Sequence, residues 1–192
     1  LTIGAGSNYW HSSLAMSSKG EAYKKFYPSG KDVTTIHTDY KYRHSIFSLY
    51  GEIAWQSSDA WAAMQAADFD LQGVQFTIGI RKFGRRYYDI MQNPFSRASH
   101  PGGESGLYMA LAASPFKNTE ILANVNIFSN SWLLYQKPAP TSGYKARFKI
   151  THSIDRRNNI ALVVRHDDGE DADMDDKTEI ARTKRSSFKE SW

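Results

Sequence analysis

A two-residue alternation of polar and apolar side chains runs through most of this chain. Segment 121–128 reads Ile-Leu-Ala-Asn-Val-Asn-Ile-Phe, so its odd positions are all apolar while its even positions include two asparagines. Successive side chains of a strand point to opposite faces of a sheet, and this pattern therefore predicts a strand between two different environments. The same alternation predicts further strands at 34–42, 47–55, 74–80, 144–151 and 160–165.

About ten strands are predicted, including an opening strand within 1–17 and a last strand at 178–187. Segment 60–67 is ambiguous, because its alanines favour a helix while its position after a turn favours a returning strand. The predicted short connections are 57–59, 114–119 and 155–159, and the predicted long ones are 18–31, 84–105, 136–143 and 167–177. Short turns at one end and longer loops at the other are typical of up-and-down outer-membrane barrels.

The composition is compatible with both a soluble sheet and a membrane barrel. The chain has 192 residues, 41% apolar and 23% charged, and barrels share such values because half of their strand residues face a polar interior. A spanning helix needs about 20 predominantly apolar residues. The charge-free stretch 121–136 carries three Asn, two Ser and a Gln. Crossing a bilayer would therefore require a closed sheet.

We accordingly expect one all-β domain, 1–192, forming an antiparallel up-and-down transmembrane β-barrel of about ten strands, either whole or as part of a larger barrel. Segment 47–55 is close to the length of roughly 9–11 residues that a tilted strand needs to cross a bilayer core. Aromatic residues near predicted strand ends would form the interfacial belts: Tyr50, Trp55, Tyr87, Tyr88, Trp132, Tyr135 and Tyr144. The interpretation requires these apolar residues to point outward: Phe47, Ile53, Phe76, Ile78, Val125, Ile127, Phe148 and Leu162.

Charged residues on the opposite faces of these strands are candidates for a polar lumen. Lys145, Arg147 and Lys149 alternate along one strand and share a face opposite its apolar residues. If that apolar face meets lipid, this ladder lines the lumen together with Glu52 and Arg165, and lumenal charges tune selectivity. A soluble sheet would simply expose the same ladder to water.

A basic run, Arg81, Lys82, Arg85 and Arg86, lies next to two tyrosines at a predicted strand end. It could select anions at a pore mouth or contact lipid phosphates. Runs of charge usually mark exposed faces, so a solvated strand end is the simpler interpretation.

An acidic triplet, Asp171, Asp173 and Asp175, matches the first three ligand positions of a calcium-binding loop. The match then fails, because Asp176 replaces the expected Gly and Arg182 replaces the bidentate Glu. A solvated acidic loop is favoured, and we expect no cofactor beyond a weak Ca²⁺ candidate.

Catalytic signals are weak throughout the sequence. Segment 103–107 resembles a nucleophile elbow around Ser105 but lacks its final Gly and its strand-turn-helix context. The chain has no Cys, and its six His are isolated from one another. We therefore expect a protein without enzymatic activity.

Three segments carry a resemblance to a known protein family: Ile-Arg-Lys-Phe-Gly-Arg-Arg-Tyr-Tyr at 80–88, Asn-Pro-Phe-Ser at 93–96 and Glu-Ser-Gly-Leu-Tyr-Met-Ala-Leu at 104–111. With the later segment 155–165, they resemble the barrel region of Bacteroidetes/Chlorobi-type outer-membrane proteins. Many of those carry helix-hairpin-helix modules before the barrel. The resemblance covers 80–192, and more loosely 45–80. No such module is visible, so its nucleic-acid role is not carried over.

The sequence thus predicts a porin-like β-barrel protein of the bacterial outer membrane, acting as a scaffold or in the transport of small solutes. Its expected partners are outer-membrane lipid and other subunits of a membrane complex, and the net charge of +4 is too small to indicate a nucleic acid. The alternative is a soluble all-β protein that recognises a carbohydrate or a protein partner through an aromatic-rich face. A β-sandwich enzyme comes third.

Overall fold

The computed structural model describes residues 1–17, 20–57, 59–88, 95–96, 100–135, 137, 139–155, 158–172 and 180–191, with backbone alone from residue 170 onward. Its ten strands are β1 (Thr2–Met16), β2 (Gly30–His44), β3 (Phe47–Gln56), β4 (Ala60–Leu71), β5 (Val74–Phe83), β6 (Glu104–Phe116), β7 (Thr119–Asn130), β8 (Ser142–Ser153), β9 (Asn159–Ala172) and β10 (Ile180–Ser191). A short 3₁₀ helix, Ala22–Lys24, lies between β1 and β2.

The strands form one sheet whose spatial order follows the chain from β1 to β10. Every strand pairs antiparallel with the next, which confirms the predicted all-β, up-and-down architecture. Within the described residues, β1 and β10 do not pair with each other, and the sheet is not closed. In the same part of the chain, no helix is long and apolar enough to cross a membrane.

Connections alternate between two ends of the sheet, and one prediction about them is wrong. The turn end holds 45–46, 72–73, 117–118 and 154–158, and the loop end holds 17–29, 57–59, 84–103 and 131–141. The short connection 57–59 therefore lies among the long loops, because it follows an odd-numbered strand. Strand parity decides which end a connection occupies, whatever its length.

Two other segments are longer or more regular than the sequence indicated. The ambiguous segment 60–67 belongs to β4, whose residues pair with both neighbouring strands. The predicted acidic loop 167–177 begins too early, since β9 continues to Ala172. Asp167 there lies directly opposite Lys145, and opposite charges on facing positions favour continued pairing.

Directly paired residues lie on the same side of a sheet, so the register separates two faces. The apolar face holds all eight apolar residues that were predicted to point outward, none of which is buried. The polar face holds Glu52, Arg81, Glu104, Lys145 and Arg165, whereas Lys82 of β5 and Asp168 of β9 lie on the apolar face near the loop end.

The polar face is the one that the sheet encloses. In β3, Ile53 and Trp55 of the apolar face are 57% and 55% exposed, whereas Ala54 between them is 4% exposed. A small core on the polar face groups Ala54, Ala60, Ala62, Phe83 and Tyr87. A single sheet that buries one of its own faces must curve towards that face, so the sheet curves with its apolar face outward.

Aromatic side chains mark both borders of the apolar face. At the turn end, His44, Phe47, Phe69 and Phe76 are directly paired across β2 to β5, with successive ring centroids 5.6, 6.3 and 6.3 Å apart. At the loop end, Trp55 pairs with Trp61. Between these borders, β3 and β4 carry no Asp, Glu, Lys or Arg on this face, and β5 carries one such residue, Lys82, opposite Ala63 near the loop end.

Candidate functional site at the polar face and the loop end

All five predicted lumen residues lie on the polar face, although they do not form one cluster. The Nζ atom of Lys145 is 3.1 Å from Oδ2 of Asp167 on the neighbouring strand. Arg147 lies directly opposite Arg165, while Lys149 lies opposite an apolar residue. Like charges on directly opposed positions destabilise a strand pair, so the two arginines are held together at a cost in stability.

Glu52, the fifth of these residues, lies on a different part of the sheet. It is directly opposite Asp39 on β2 and opposite Met64 on β4. The polar face therefore carries an acidic pair at β2 and β3 and a basic pair at β8 and β9. This segregation of charge is not visible from any single strand, because both pairs depend on register.

The basic run divides among three environments, and the prediction that it is an exposed group is wrong for Arg81. Lys82 lies at the loop end of the apolar face, and Arg85 and Arg86 are exposed in the loop that follows β5. Arg81 instead lies within β5, on the polar face, and its side chain is 1% exposed. Arg81 can be buried because it has an ion-pair partner on the next strand, β6.

That partner is Glu104, a fully buried residue at the start of β6. Its Oε1 atom accepts from Nε and lies close to Nη2 of Arg81, each at 2.7 Å. A Cβ atom at Gly106 would collide with the guanidinium group, so this position has to be glycine while the arginine stays in place. The sequence pattern did not predict this ion pair, because its two members are 23 residues apart along the chain.

The loop between β5 and β6 reaches over the polar face. The ring of Phe95 lies 5.1 Å from the Cζ atom of Arg81 and packs edge-on against Tyr108, with ring centroids 5.0 Å apart. Both partners belong to the polar face. Part of this long loop is therefore folded inward against the enclosed side of the sheet.

A second cluster of rings, the loop-end cluster, gathers at the loop end from three connections. Its members are Tyr23, Phe26, Tyr27, Tyr88, His100, Trp132 and Tyr135. Phe26 packs against Trp132 at 4.8 Å, and the Trp132 indole N–H donates to the carbonyl of Ala22 at 3.2 Å. Tyr88 stacks on His100 at 4.8 Å. These contacts join the β1–β2, β5–β6 and β7–β8 connections.

This arrangement corrects the predicted interfacial belt. Tyr88, Trp132 and Tyr135 belong to the loop-end cluster, and Tyr87 is buried against Phe83 on the polar face. Tyr50 also lies on the polar face, next to Asp68. Trp55 does lie on the apolar face at its border. Proximity to a strand end could not distinguish these cases, since it says nothing about which face a ring occupies.

A cavity of about 350 Å³ opens among the rings of the loop-end cluster. Its cationic lining residues are Arg85, Lys137 and Lys145, and no Asp or Glu lines it among the described residues. The Cζ atom of Arg85 lies 5.7 Å from the Trp132 ring centroid, and its Nε donates to the Ser131 hydroxyl at 3.3 Å. The cavity thus combines aromatic walls with positive charge.

Burial favours the neutral form of three titratable rings of this cavity, Tyr27, Tyr88 and His100. Burial raises the pKa of Tyr27 and the pKa of Tyr88 above the usual value for a phenol. Burial also lowers the pKa of His100, because the charged imidazolium would lose hydration inside the ring cluster. Its Nδ1 atom is buried and has no hydrogen-bond partner among the described residues.

The sequence did carry a signal for the loop-end cluster. Segment 22–28 reads Ala-Tyr-Lys-Lys-Phe-Tyr-Pro, which places three rings in a connection that was predicted only as a loop. A solvated loop rarely needs so much aromatic surface, and such a concentration indicates packing against something. What it packs against depended on the register of distant strands.

The predicted calcium ligands fall largely outside the described part of the chain. Asp171 lies in β9, where only the backbone is described, and Asp173 and Asp175 are outside the described residues. The Ca²⁺ site therefore stays a prediction. Within the described residues, no group of three or more His, Cys, Asp or Glu side chains is arranged to hold a metal ion.

No family model matches the chain, and neither a curated protein nor a solved structure matches it.

Proposed function

We propose that the chain forms a β-barrel of the bacterial outer membrane that serves as a membrane scaffold or as a pore for small solutes. The exposure of the apolar face carries this proposal. A soluble antiparallel sheet covers its apolar face with a second layer, but none covers this face within the described residues. In a bilayer, lipid would take that role.

The dimensions of the apolar face support the same conclusion. Phe47 and Trp55 are eight residues apart on β3, and Phe69 and Trp61 are eight apart on β4. At a rise of about 3.3 Å per residue, each pair spans about 26 Å along its strand. Counted with both end residues, each of these segments has nine residues. A tilted strand crosses the hydrocarbon core of a bilayer with roughly 9–11 residues, and outer-membrane barrels flank their apolar band with aromatic girdles.

A polar residue within this band is satisfied internally, as hydrocarbon requires. Gln65 lies on the apolar face of β4, where its amide accepts from the Tyr40 hydroxyl and donates to the Tyr50 carbonyl at 3.1 Å. A Cβ atom at Gly51 would lie 2.8 Å from the Gln65 Oε1 atom, so glycine leaves room for this contact.

The polar face supports an enclosed, hydrated interior. In a ten-stranded ring, β3 and β8 would be five strands apart, so the acidic pair at Glu52 and the basic pair at Arg147 would lie on opposite walls. Such a ring requires the free edges of β1 and β10 to be paired, either with each other or with further strands. The resemblance of 80–192 to outer-membrane barrels is in keeping with this proposal.

The decisive experiment is refolding of the purified chain with and without detergent. We expect a folded species only in detergent or lipid, with heat-modifiable migration on a gel. A monodisperse, folded monomer in detergent-free buffer would overturn the proposal and favour the soluble binding protein. Conductance across planar bilayers then distinguishes a pore from a scaffold. Insertion without conductance would identify a scaffold and eliminate the pore.

A further inference from the structure

The loop-end cavity has the size and the walls of a ligand site. Its volume of about 350 Å³ lies within the range of roughly 300–1,000 Å³ that small-molecule sites occupy. Its rings contact one another edge-on or stacked across three connections, so they are held in place without filling the space between them. The walls are therefore formed before any ligand arrives.

The charges of the cavity select an anion. Arg85, Lys137 and Lys145 line it, and no carboxylate does so among the described residues. Lys145 is already close to Asp167, but Arg85 has no carboxylate partner in the described part of the chain. A guanidinium group at the mouth of a partly enclosed cavity binds carboxylate or phosphate with two parallel hydrogen bonds.

The rings select a ligand that is apolar on one side and rich in hydroxyls at its edge. Five tyrosines line the cavity beside Trp132: Tyr23, Tyr27, Tyr87, Tyr88 and Tyr135. Tyr and Trp combine an apolar face with a polar tip. A sugar ring uses both, because its C–H face packs on aromatic rings and its hydroxyls bond to tyrosines. An aromatic acid would leave most of those hydroxyls without partners.

The cavity also continues into the polar face. Lys145 lines the cavity and is the first member of the ladder Lys145, Arg147 and Lys149, whose steps of two residues are each about 7 Å. Arg165 lies opposite the second member. An anion that enters from the loop end therefore meets further cations on the enclosed side of the sheet. Lys145 is the one strand residue among those that line the cavity, so the cavity is continuous with the polar face of the described sheet and not with its apolar face.

We propose that the loop-end cavity binds a free acidic saccharide, with its acid group on Arg85 and its ring against Trp132. The direction of passage along the ladder rests on the proposed membrane barrel, but the binding site itself does not. Binding can therefore be measured on the folded chain in whichever medium keeps it folded, detergent or buffer.

The test uses trigalacturonate as the acidic probe and maltotriose as its neutral counterpart. We expect trigalacturonate to change the Trp132 fluorescence, taken as the difference from a Trp132→Phe variant, and to bind at least about tenfold more tightly than maltotriose. Arg85→Gln should weaken trigalacturonate binding by about tenfold or more. Lys117→Gln at the turn end makes the same charge change far from the cavity and should leave binding unchanged.

Two results would overturn the site. The first is equal binding of the acidic and the neutral trisaccharide, or no binding of either. The second is an equal effect of Arg85→Gln and Lys117→Gln. Circular dichroism of each variant verifies its fold before titration. A Trp132→Ala variant that stays folded must also lose binding, which is measured by titration calorimetry because this variant lacks the fluorescent reporter. The barrel proposal fails if the chain folds as a monomer without detergent. Because that measurement does not involve saccharide binding, failure of the barrel and failure of the binding site cannot be confused.

Discussion

Arg81 and Glu104 are joined diagonally across β5 and β6 by two nitrogen–oxygen distances of 2.7 Å, and their side chains are 1% and 0% exposed. Removing one partner leaves an uncompensated charge in an enclosed place. We expect Glu104→Gln to lower the free energy of unfolding by about 3–5 kcal/mol, measured by denaturant titration of the refolded protein. The double variant Arg81→Met, Glu104→Leu should recover most of this loss.

The matched comparison is the partly exposed pair of Lys145 and Asp167. Their side chains are 48% and 38% exposed, and such pairs contribute about 0–1 kcal/mol. Asp167→Asn should therefore cost much less than Glu104→Gln. Equal losses at the two sites would show that the interior pair is hydrated and that the polar face is open to bulk water.

Gly106 gives a steric test of the same ion pair. An alanine Cβ there would collide with the Arg81 guanidinium group, so we expect Gly106→Ala to destabilise the protein by about 1–3 kcal/mol. Gly79→Ala is the control, because its Cβ would make an ordinary contact with Ala66 at 3.4 Å. If the collision with Arg81 is the cause, Gly106→Ala should cost much less in an Arg81→Met background.

A charge on the apolar face distinguishes lipid from water. Ile53 is 57% exposed and lies between the two aromatic borders, so Ile53→Lys should cost about 2–4 kcal/mol in lipid vesicles. Phe116, at the turn end of β6, is 73% exposed, and Phe116→Lys should cost about 0–1 kcal/mol because it lies near the interface. In a water-soluble sheet both changes would fall within about 0.5 kcal/mol of zero. Unfolding free energies in vesicles decide between these outcomes.

Alternation along the chain was sufficient to predict most of the strands and the two faces of the sheet, although it left segment 60–67, which belongs to β4, ambiguous. The pattern at 121–128 became part of β7 with Val125 and Ile127 on the apolar face, as expected. The reason is physical, since a period of two is the geometry of a strand. Segment 57–59 shows the limit, because the length of a connection does not reveal the end of the sheet on which it lies.

Contacts between distant strands could not be read from any single segment. Arg81 belonged to a basic run in sequence, and only the register of β5 with β6 gives it Glu104 as a partner. The loop-end cavity likewise needs three connections brought together, of which Tyr27 and Trp132 belong to different ones. The alternation within a segment predicts the two faces of a sheet. The ion pair and the cavity, in contrast, depend on which strands and connections lie next to each other.

The buried imidazole of His100 should make the loop-end cluster sensitive to pH. Its pKa in the folded protein is lower than the value of about 6.5 expected when unfolded, so the unfolded form binds more protons between the two values. The stabilisation is fully present above about pH 6.5 and is lost as the pH falls through the folded-state pKa. Tyr27 and Tyr88, which contact the ring, stay neutral over this range.

Hydrogen exchange of the β1–β2 connection measures this effect. We expect amide exchange in residues 22–27 to accelerate on going from pH 7.5 to pH 5, after correction for the intrinsic pH dependence of exchange. The variant His100→Gln removes the titrating group and should abolish the pH dependence. Acceleration of equal size in that variant would assign the effect to another group.

If the chain forms the proposed pore, the direct opposition of Arg147 and Arg165 predicts that this pore prefers anions. Both side chains are on the polar face, and their mutual repulsion is relieved when an anion lies between them. Arg147→Gln should raise the free energy of unfolding by about 0.2–1 kcal/mol, because it removes a like-charge contact. It should also shift the reversal potential in a salt gradient towards cation preference. Lys117→Gln, at the turn end, should change neither quantity, and a reversal potential that Arg147→Gln leaves unmoved would remove the ladder from the conduction path.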